Sequence, residues 1–184
     1  MANGLREYDG PLTPKGYDLH EVISALQKEI RRCNEYEAVY WAVELESFNS
    51  KALWNRLEVI ASEDIGLADP QAAILMAVLE KNYYDSLNKK GNPSRLFLVH
   101  AVLHLARAPK SRIVDNLLNV VYNTDEKLVI PDYAIDIHTP RGRKMSRGLD
   151  HFFAEGAKLA NQAFEDPYEK KAFETLMRKK KNKT

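Results

Sequence analysis

The sequence contains little cysteine, glycine or proline, and it has no long apolar run. Its only cysteine, Cys33, cannot form an internal disulfide, which is typical of a protein from a reducing compartment. No stretch approaches the roughly 20 apolar residues that span a bilayer, and the first residues lack the apolar core of a signal peptide. These absences predict a soluble, cytoplasmic protein with no membrane partner.

The few glycines also form none of the loops that hold phosphates. Neither Gly-x-x-x-x-Gly-Lys-Ser/Thr nor Gly-x-Gly-x-x-Gly occurs, and there is no Gly-x-Ser-x-Gly nucleophile elbow. The chain therefore lacks the parts that bind nucleotides in the usual ways. We expect no cofactor, no metal and no catalytic residue.

Glycine and proline instead separate apolar segments that have helical periodicity, which predicts an all-α fold. We expect a single-domain helical bundle of about seven or eight helices, preceded by an irregular arm over residues 1–17. The helical domain should cover 18–165, followed by a C-terminal helix with a basic tail over 166–184. The predicted helices cover residues 19–32, 34–46, 50–61, 70–87, 93–107 and 109–122, a further helix near 146 and a last one from 166, with 127–130 as a candidate strand.

The segment from Ala61 to Pro70 predicts a tight corner between two helices. Gly66 can adopt the positive φ that ends a helix, and Asp69 followed by Pro70 is typical of a helix start. Because Tyr40, Trp41 and the apolar helix faces have few polar atoms, we expect them to form the core and a subunit interface.

Two acids, Glu63 and Asp64, lie at this corner. The helix dipole disfavours negative charge at a helix C-terminus, so we expect cationic partners and predict Arg107 or Lys110. The same acids leave an alternative open, in which they act as an acid–base pair.

Histidines could complete such a site. His100 and His104 share a helix face at metal-ligand spacing, and His138 follows later in the chain. No third ligand accompanies the first two, so a packed or interface pair is the favoured interpretation.

Charge is unevenly distributed along the chain. Residues 1–92 contain 10 Lys/Arg and 15 Asp/Glu, whereas residues 93–184 contain 17 and 11. Such asymmetry predicts self-association or a face that meets an anion. Four cations lie within seven residues around Gly142, and we predict that they contact a nucleic-acid backbone, with a solvated surface as the alternative. They are Arg141, Arg143, Lys144 and Arg147.

Four blocks of residues resemble the C-terminal region of the RarA/MgsA family, which are replication-associated AAA+ ATPases related to the Werner-helicase-interacting protein. These blocks are Tyr17-Asp18 with Val22–Lys28 and Ile30-Arg31, Ala38–Trp41, Ala61–Ala72 (with Glu63, Asp64, Gly66, Asp69 and Pro70), and Ala101-Val102 with Leu105–Ser111 (with Arg107, Pro109, Lys110 and Ser111). A fainter match continues through His138, Gly142 and Gly148.

The resemblance implies an all-helical region beyond the ATPase module, comparable to a clamp-loader collar, that forms a tetramer. It also implies work at stalled replication forks with single-stranded-DNA-binding protein and DNA ends. The ATPase motifs themselves are absent from this sequence, so we expect no enzymatic activity. Since the chain starts with Met1, a free-standing relative is slightly favoured over a fragment.

These observations leave three hypotheses. The leading one is a non-catalytic oligomerisation and DNA-associated module of replication or recombination maintenance, with single-stranded or forked DNA as a ligand and association with the nucleoid. The second is a protein adaptor that assembles with, or competes for, a partner AAA+ ATPase without binding DNA. The third is a small enzyme that combines Glu63 or Asp64 with a histidine.

Overall fold

The structure is a computed structural model that describes residues 10–181, with helices throughout and no β-strand within that range. This confirms the predicted all-α class. The α-helices are α1 (Leu19–Arg31), α2 (Glu35–Ile60), α3 (Ala72–Lys90), α4 (Arg95–Arg107), α5 (Ile113–Tyr122), α6 (Pro140–Lys144), α7 (Leu149–His151) and α8 (Glu169–Lys181). The chain forms two compact units, the N-terminal unit up to Thr124 and the C-terminal unit from Asp125. Of the predicted arm, residues 1–9 lie outside the described range, and residues 10–17 form no helix.

The core of the N-terminal unit lies between α1, α2, α3 and α4. Asp18 caps α1 by accepting a hydrogen bond from the Glu21 N–H at 2.9 Å, and the helix buries one apolar stripe at helical spacing. Helices α3 and α4 contribute Met76 and Val102 to the same core. The central position predicted for α3 is wrong, because Ile74 and Val78 are exposed and α3 buries only one face. Trp41 packs against this core from its edge.

The chain between residues 34 and 60 changes direction at Asn49. Asn49 has φ −158° and ψ 99°, so two helical segments meet there in a sharp kink. The predicted break is therefore confirmed, but Asn49 and not Ser50 caps the second segment, since its side chain accepts from the Ala52 N–H at 3.0 Å. Asn34 is the N-cap residue of α2, but its side chain forms no capping hydrogen bond and instead donates to Glu29 at 2.6 Å.

Several helices begin later than their Asp-Pro or Asn-Pro signals predicted. α3 begins at Ala72 because Asp69 holds Pro70 and Gln71 in a turn, with its side chain accepting from the Gln71 N–H at 3.1 Å. α8 begins at Glu169 for the same reason, since the Asp166 side chain accepts from the Tyr168 N–H at 2.8 Å.

The connections around α5 also differ from the prediction. Residues 108–112 form no helix and α5 begins at Ile113, because side-chain and backbone contacts described below hold this segment extended. Residues 127–130 have no neighbouring strand to pair with, so the predicted strand is absent.

The C-terminal unit packs short helices against α8. Gly142 lies so close to the Asp136 backbone that a Cβ would be 1.8 Å from its carbonyl oxygen. The helix predicted to begin near Ser146 begins three residues later, as α7 at Leu149, because Ser146 has φ 56°, a conformation that α-helices exclude. Phe153 and Phe173 meet edge to face at 5.2 Å and join the residues after α7 to α8.

Candidate functional site

Residues Ala61–Ile65 form a π-helical turn after α2, and Gly66–Ala68 form a 3-10 turn that follows it; we call this segment the turn. It holds the adjacent acids Glu63 and Asp64, and their main cationic partner comes from α1. Asp64 is 0% exposed, and it accepts from Arg31 Nε at 2.7 Å and from Gln27 Nε2 at 2.9 Å. Arg31 Nη2 also lies 3.2 Å from Glu63 Oε1. A buried carboxylate needs such partners because an unpaired charge in the interior is costly. Arg31 therefore ties α1 to the turn.

The partners predicted for these acids, Arg107 and Lys110, are wrong. Arg107 instead binds Glu35 through two hydrogen bonds of 2.8 and 2.9 Å, and this interaction lowers the pKa of Glu35. Lys110 Nζ donates to three carbonyl oxygens at the end of α4, at 2.6 to 3.0 Å. Because a helix C-terminus attracts cations, this ammonium group caps α4 and is not available to the acids.

The ionic cluster is completed by Arg112, immediately before α5. Its Nη2 lies 3.5 Å from Glu63 Oε1 and its Nε lies 4.0 Å from Asp64 Oδ1, and it also pairs with Asp115. The Ser111 N–H donates to the Asp64 carbonyl oxygen at 2.8 Å. These contacts hold residues 108–112 against the turn and fix where α5 starts.

Gly66 lets α5 approach the turn closely. It has φ 49° and ψ −123°, so the positive φ predicted for it is confirmed. A Cβ at this position would lie 3.1 Å from Val114 Cγ2. Asp69, at the end of the same turn, lies with its Oδ2 3.0 Å from His104 Nε2, although the two are not aligned for a hydrogen bond.

The enzymatic hypothesis requires an open pocket that brings a histidine to Glu63 and Asp64, and the described residues form no such pocket there. The Asp64 oxygens are taken up by α1 side chains, and His104 faces a different acid. His138 lies elsewhere in the chain, with its Nδ1 3.0 Å from the carboxylate two residues before it. Within residues 10–181, no three His, Cys, Asp or Glu side chains are grouped to hold a metal ion.

The four cations predicted to contact nucleic acid differ in their surroundings. Arg147 is engaged internally, since its guanidinium donates to the Asp132 carbonyl at 2.8 Å and to the Asp132 carboxylate at 2.6 Å. Arg143 donates one hydrogen bond to a backbone carbonyl at 3.1 Å and stays exposed. Arg141 and Lys144 are exposed, and their side chains form no hydrogen bond within the described range. Three of the four therefore have cationic groups open to solvent.

One surface was not singled out by the sequence analysis, and we call it the α5 face. Seven of the ten residues of α5 are apolar, and none of them is buried. Their pattern looks like that of a core helix, so the sequence carries a signal for burial but not for what covers the helix. The α5 face consists of Ile113, Val114, Leu117, Leu118, Val120, Val121 and Tyr122.

Comparison with known families gives this geometry a context. The model of the family described as "MgsA AAA+ ATPase C terminal" matches residues 34–183 of this chain. The chain belongs to this family. The match includes α2 to α8, and therefore the turn, the α5 face and the basic residues of the C-terminal unit.

Members of the MgsA C-terminal family similar to this chain include proteins named "Replication-associated recombination protein A". The one from Bacillus subtilis is 29% identical over 174 residues, which cover 86% of this chain and 39% of that protein. The one from Escherichia coli K12 is 28% identical over 159 residues, covering 82% and 34%. "ATPase WRNIP1" from Dictyostelium discoideum is 32% identical over 106 residues, covering 55% and 12%.

The chain thus spans less than half the length of these relatives, and it corresponds to their C-terminal domain and not to their ATPase module. Within the described residues, no helix has the length and apolar character needed to cross a membrane. The resemblance stated from the sequence is confirmed.

Proposed function

We propose that this chain is a non-catalytic oligomerisation module of the replication-associated recombination machinery, and that its copies meet through the α5 face. The observation that carries this proposal is the exposure of all seven apolar side chains of α5. Soluble monomers rarely expose a contiguous apolar patch of more than a few hundred Å², and larger patches mark interaction sites.

Burial of this face makes a favourable contribution to association that is comparable in size to the entropic cost of bringing copies together. Full burial of one Leu, Ile or Val side chain is worth about 1.5–3 kcal/mol, and the side chains of α5 are roughly half exposed. Covering seven of them therefore contributes on the order of 5–10 kcal/mol per copy, which is within the range of specific protein–protein association.

The family resemblance supports a tetramer. Sedimentation of the whole chain across a concentration series tests this proposal, because the monomer mass is 21.1 kDa. We expect a species of several copies at micromolar concentration. A mass of one copy at every accessible concentration would refute the oligomerisation proposal.

A second part of the proposal concerns DNA. Exposed guanidinium and ammonium groups bind phosphates, and Arg141, Arg143 and Lys144 place three of them within four residues. We therefore propose that these side chains contact single-stranded or forked DNA, while Arg147 supports the loop that presents them.

Fluorescence anisotropy with labelled single-stranded and forked DNA tests this contact. Replacing the three exposed cations of the cluster with alanine should weaken binding to both, and should reduce the salt-dependence slope by about 2 on single strands. Lys51→Ala combined with Lys81→Ala and Lys89→Ala removes the same charge from the N-terminal unit and is the matched control. Equal loss in both triple variants would show a general charge effect and contradict a specific contact.

The adaptor hypothesis predicts a different outcome for the same chain. Without any DNA binding, the chain would assemble with a partner AAA+ ATPase or with single-stranded-DNA-binding protein. Pull-down with purified candidates, run beside the anisotropy measurement, separates the two hypotheses.

A further inference from the structure

A groove of about 490 Å³ lies between the second half of α2 and the α5 face. Its apolar wall is formed by Val59 from α2 with Val114 and Leu118 from α5. All three side chains are exposed. Val114 and Leu118 lie four residues apart on α5, so they form one continuous strip on that helix. We call this surface the α2–α5 groove.

The groove is bordered by negative charge. Glu58, Glu63 and Asp115 line it. Glu63 is paired with Arg31 and Arg112, and Asp115 is paired with Arg112. Glu58 is the lining acid that forms no salt bridge within the described residues.

Glu80 on α3 lies near Glu58. The pKa of Glu80 is raised mainly by burial and, to a smaller extent, by the Glu58 carboxylate. Glu58 and Glu80 therefore repel one another, and the Glu58 carboxylate at the groove favours an occupant that brings positive charge.

Helix α8 has the complementary features. Phe173, Leu176 and Met177 lie at helical spacing on one face. Phe173 packs against Phe153 of its own chain, whereas Leu176 is 42% exposed. Lys170 lies three residues before Phe173 and Lys179 three residues after Leu176, so both flank this stripe. An apolar stripe flanked by lysines fits an apolar groove that has the Glu58 carboxylate at its edge.

We infer that the α2–α5 groove of one copy binds helix α8 of a second copy. The charges of the chain support this assignment, because the half that contains the groove has an excess of acids and the half that contains α8 has an excess of bases. The occupant that the groove requires is thus encoded in the same chain.

This inference rests on the proposed oligomerisation and specifies its geometry. A groove that binds a helix from a different part of the neighbour makes a head-to-tail contact, which closes into a ring or extends as a filament. A contact of α5 with another α5 would instead give a two-fold symmetric pair. The two arrangements respond differently to charge reversal.

Charge reversal on the full chain tests the head-to-tail contact, with the association constant measured by sedimentation. Glu58→Lys should weaken self-association at least about fivefold, and Lys170→Glu combined with Lys179→Glu should do the same. A chain that carries all three changes should recover the wild-type association constant, because each altered groove then meets an altered helix. An equimolar mixture of the two weakened variants should also assemble.

Lys171→Glu combined with Arg178→Glu is the matched control. It makes the same change in charge on the same helix, but on the side opposite to Leu176, and association should stay within about twofold of wild type. Circular dichroism establishes that each variant is folded.

The outcomes separate this inference from the proposed function. A wild-type chain that stays monomeric would refute oligomerisation itself. A wild-type oligomer whose association is unaffected by Glu58→Lys, or is not restored in the triple variant, would overturn the α8 assignment and leave oligomerisation standing. If the triple variant regained thermal stability that the other two variants had lost, but remained a monomer, the contact would lie within one chain, and this too would overturn the assignment.

Discussion

The double substitution Leu117→Ser and Val121→Ser should separate the copies without unfolding the chain. The two side chains lie one turn apart on α5, 59% and 58% exposed. Because full burial of Leu or Val is worth about 1.5–3 kcal/mol, covering their exposed parts contributes about 1–2 kcal/mol each. Losing both should weaken association by about 2–4 kcal/mol per copy, or about 30- to 800-fold. Sedimentation velocity over a concentration series measures this change.

Leu96→Ser is the control for this variant. Leu96 is also exposed, at 79%, but it lies at the start of α4, far along that helix from the segment that leads into α5. It should leave the association constant unchanged. If the α5 variant assembles like wild type, or if it loses helical circular dichroism along with its mass, the reasoning about this face is wrong.

Three further predictions concern the fold. Asp64→Ala leaves Arg31 without its buried partner and should cost about 3–5 kcal/mol in urea unfolding; a cost under about 1 kcal/mol would contradict the role given to this pair. Gly142→Ala would place a Cβ 1.8 Å from the Asp136 carbonyl oxygen, so amide exchange across residues 132–151 should accelerate, and unchanged exchange would contradict the close packing. Burial alone would raise the pKa of Glu44, but hydrogen bonds from Thr13 and Lys15 outweigh it and lower the pKa. These hydrogen bonds stabilise the fold above pH 4.5, the ordinary pKa of a glutamate, and the stabilisation is lost as the pH falls below it. Glu44→Gln should therefore flatten the acid limb of the curve of unfolding free energy against pH. An equally steep acid limb in this variant would contradict the role of Glu44.

Helices α1 to α4 of the N-terminal unit could be predicted because each buries one face, and burial imposes a periodicity that the sequence displays. The predicted ends were less accurate, since Asp-Pro and Asn-Pro pairs can hold a turn before the first helical residue. Asp69 shows how, because its side chain bonds to the N–H of Gln71 and delays α3.

The ionic partners could not be predicted, because they depend on which helices pack together. Arg31 lies far from Asp64 in sequence, and only the packing of α1 beside the turn brings them to 2.7 Å. Arg107 and Lys110, the predicted partners, are bound instead by Glu35 and by the end of α4.

The α5 face exposes a different limit of sequence reasoning. An apolar helix inside a core and an apolar helix between subunits have the same composition and the same period. Only the position of α5 on the folded chain shows that its own unit leaves it uncovered.

The most direct test of this account is hydroxyl-radical footprinting of the α5 side chains at concentrations below and above assembly. The account predicts that labelling of Leu117 and Val121 falls as the oligomer forms, while labelling of the exposed Leu96 does not change. An oligomer in which Leu117 and Val121 react as fast as in the monomer would contradict the claim that copies meet through this helix.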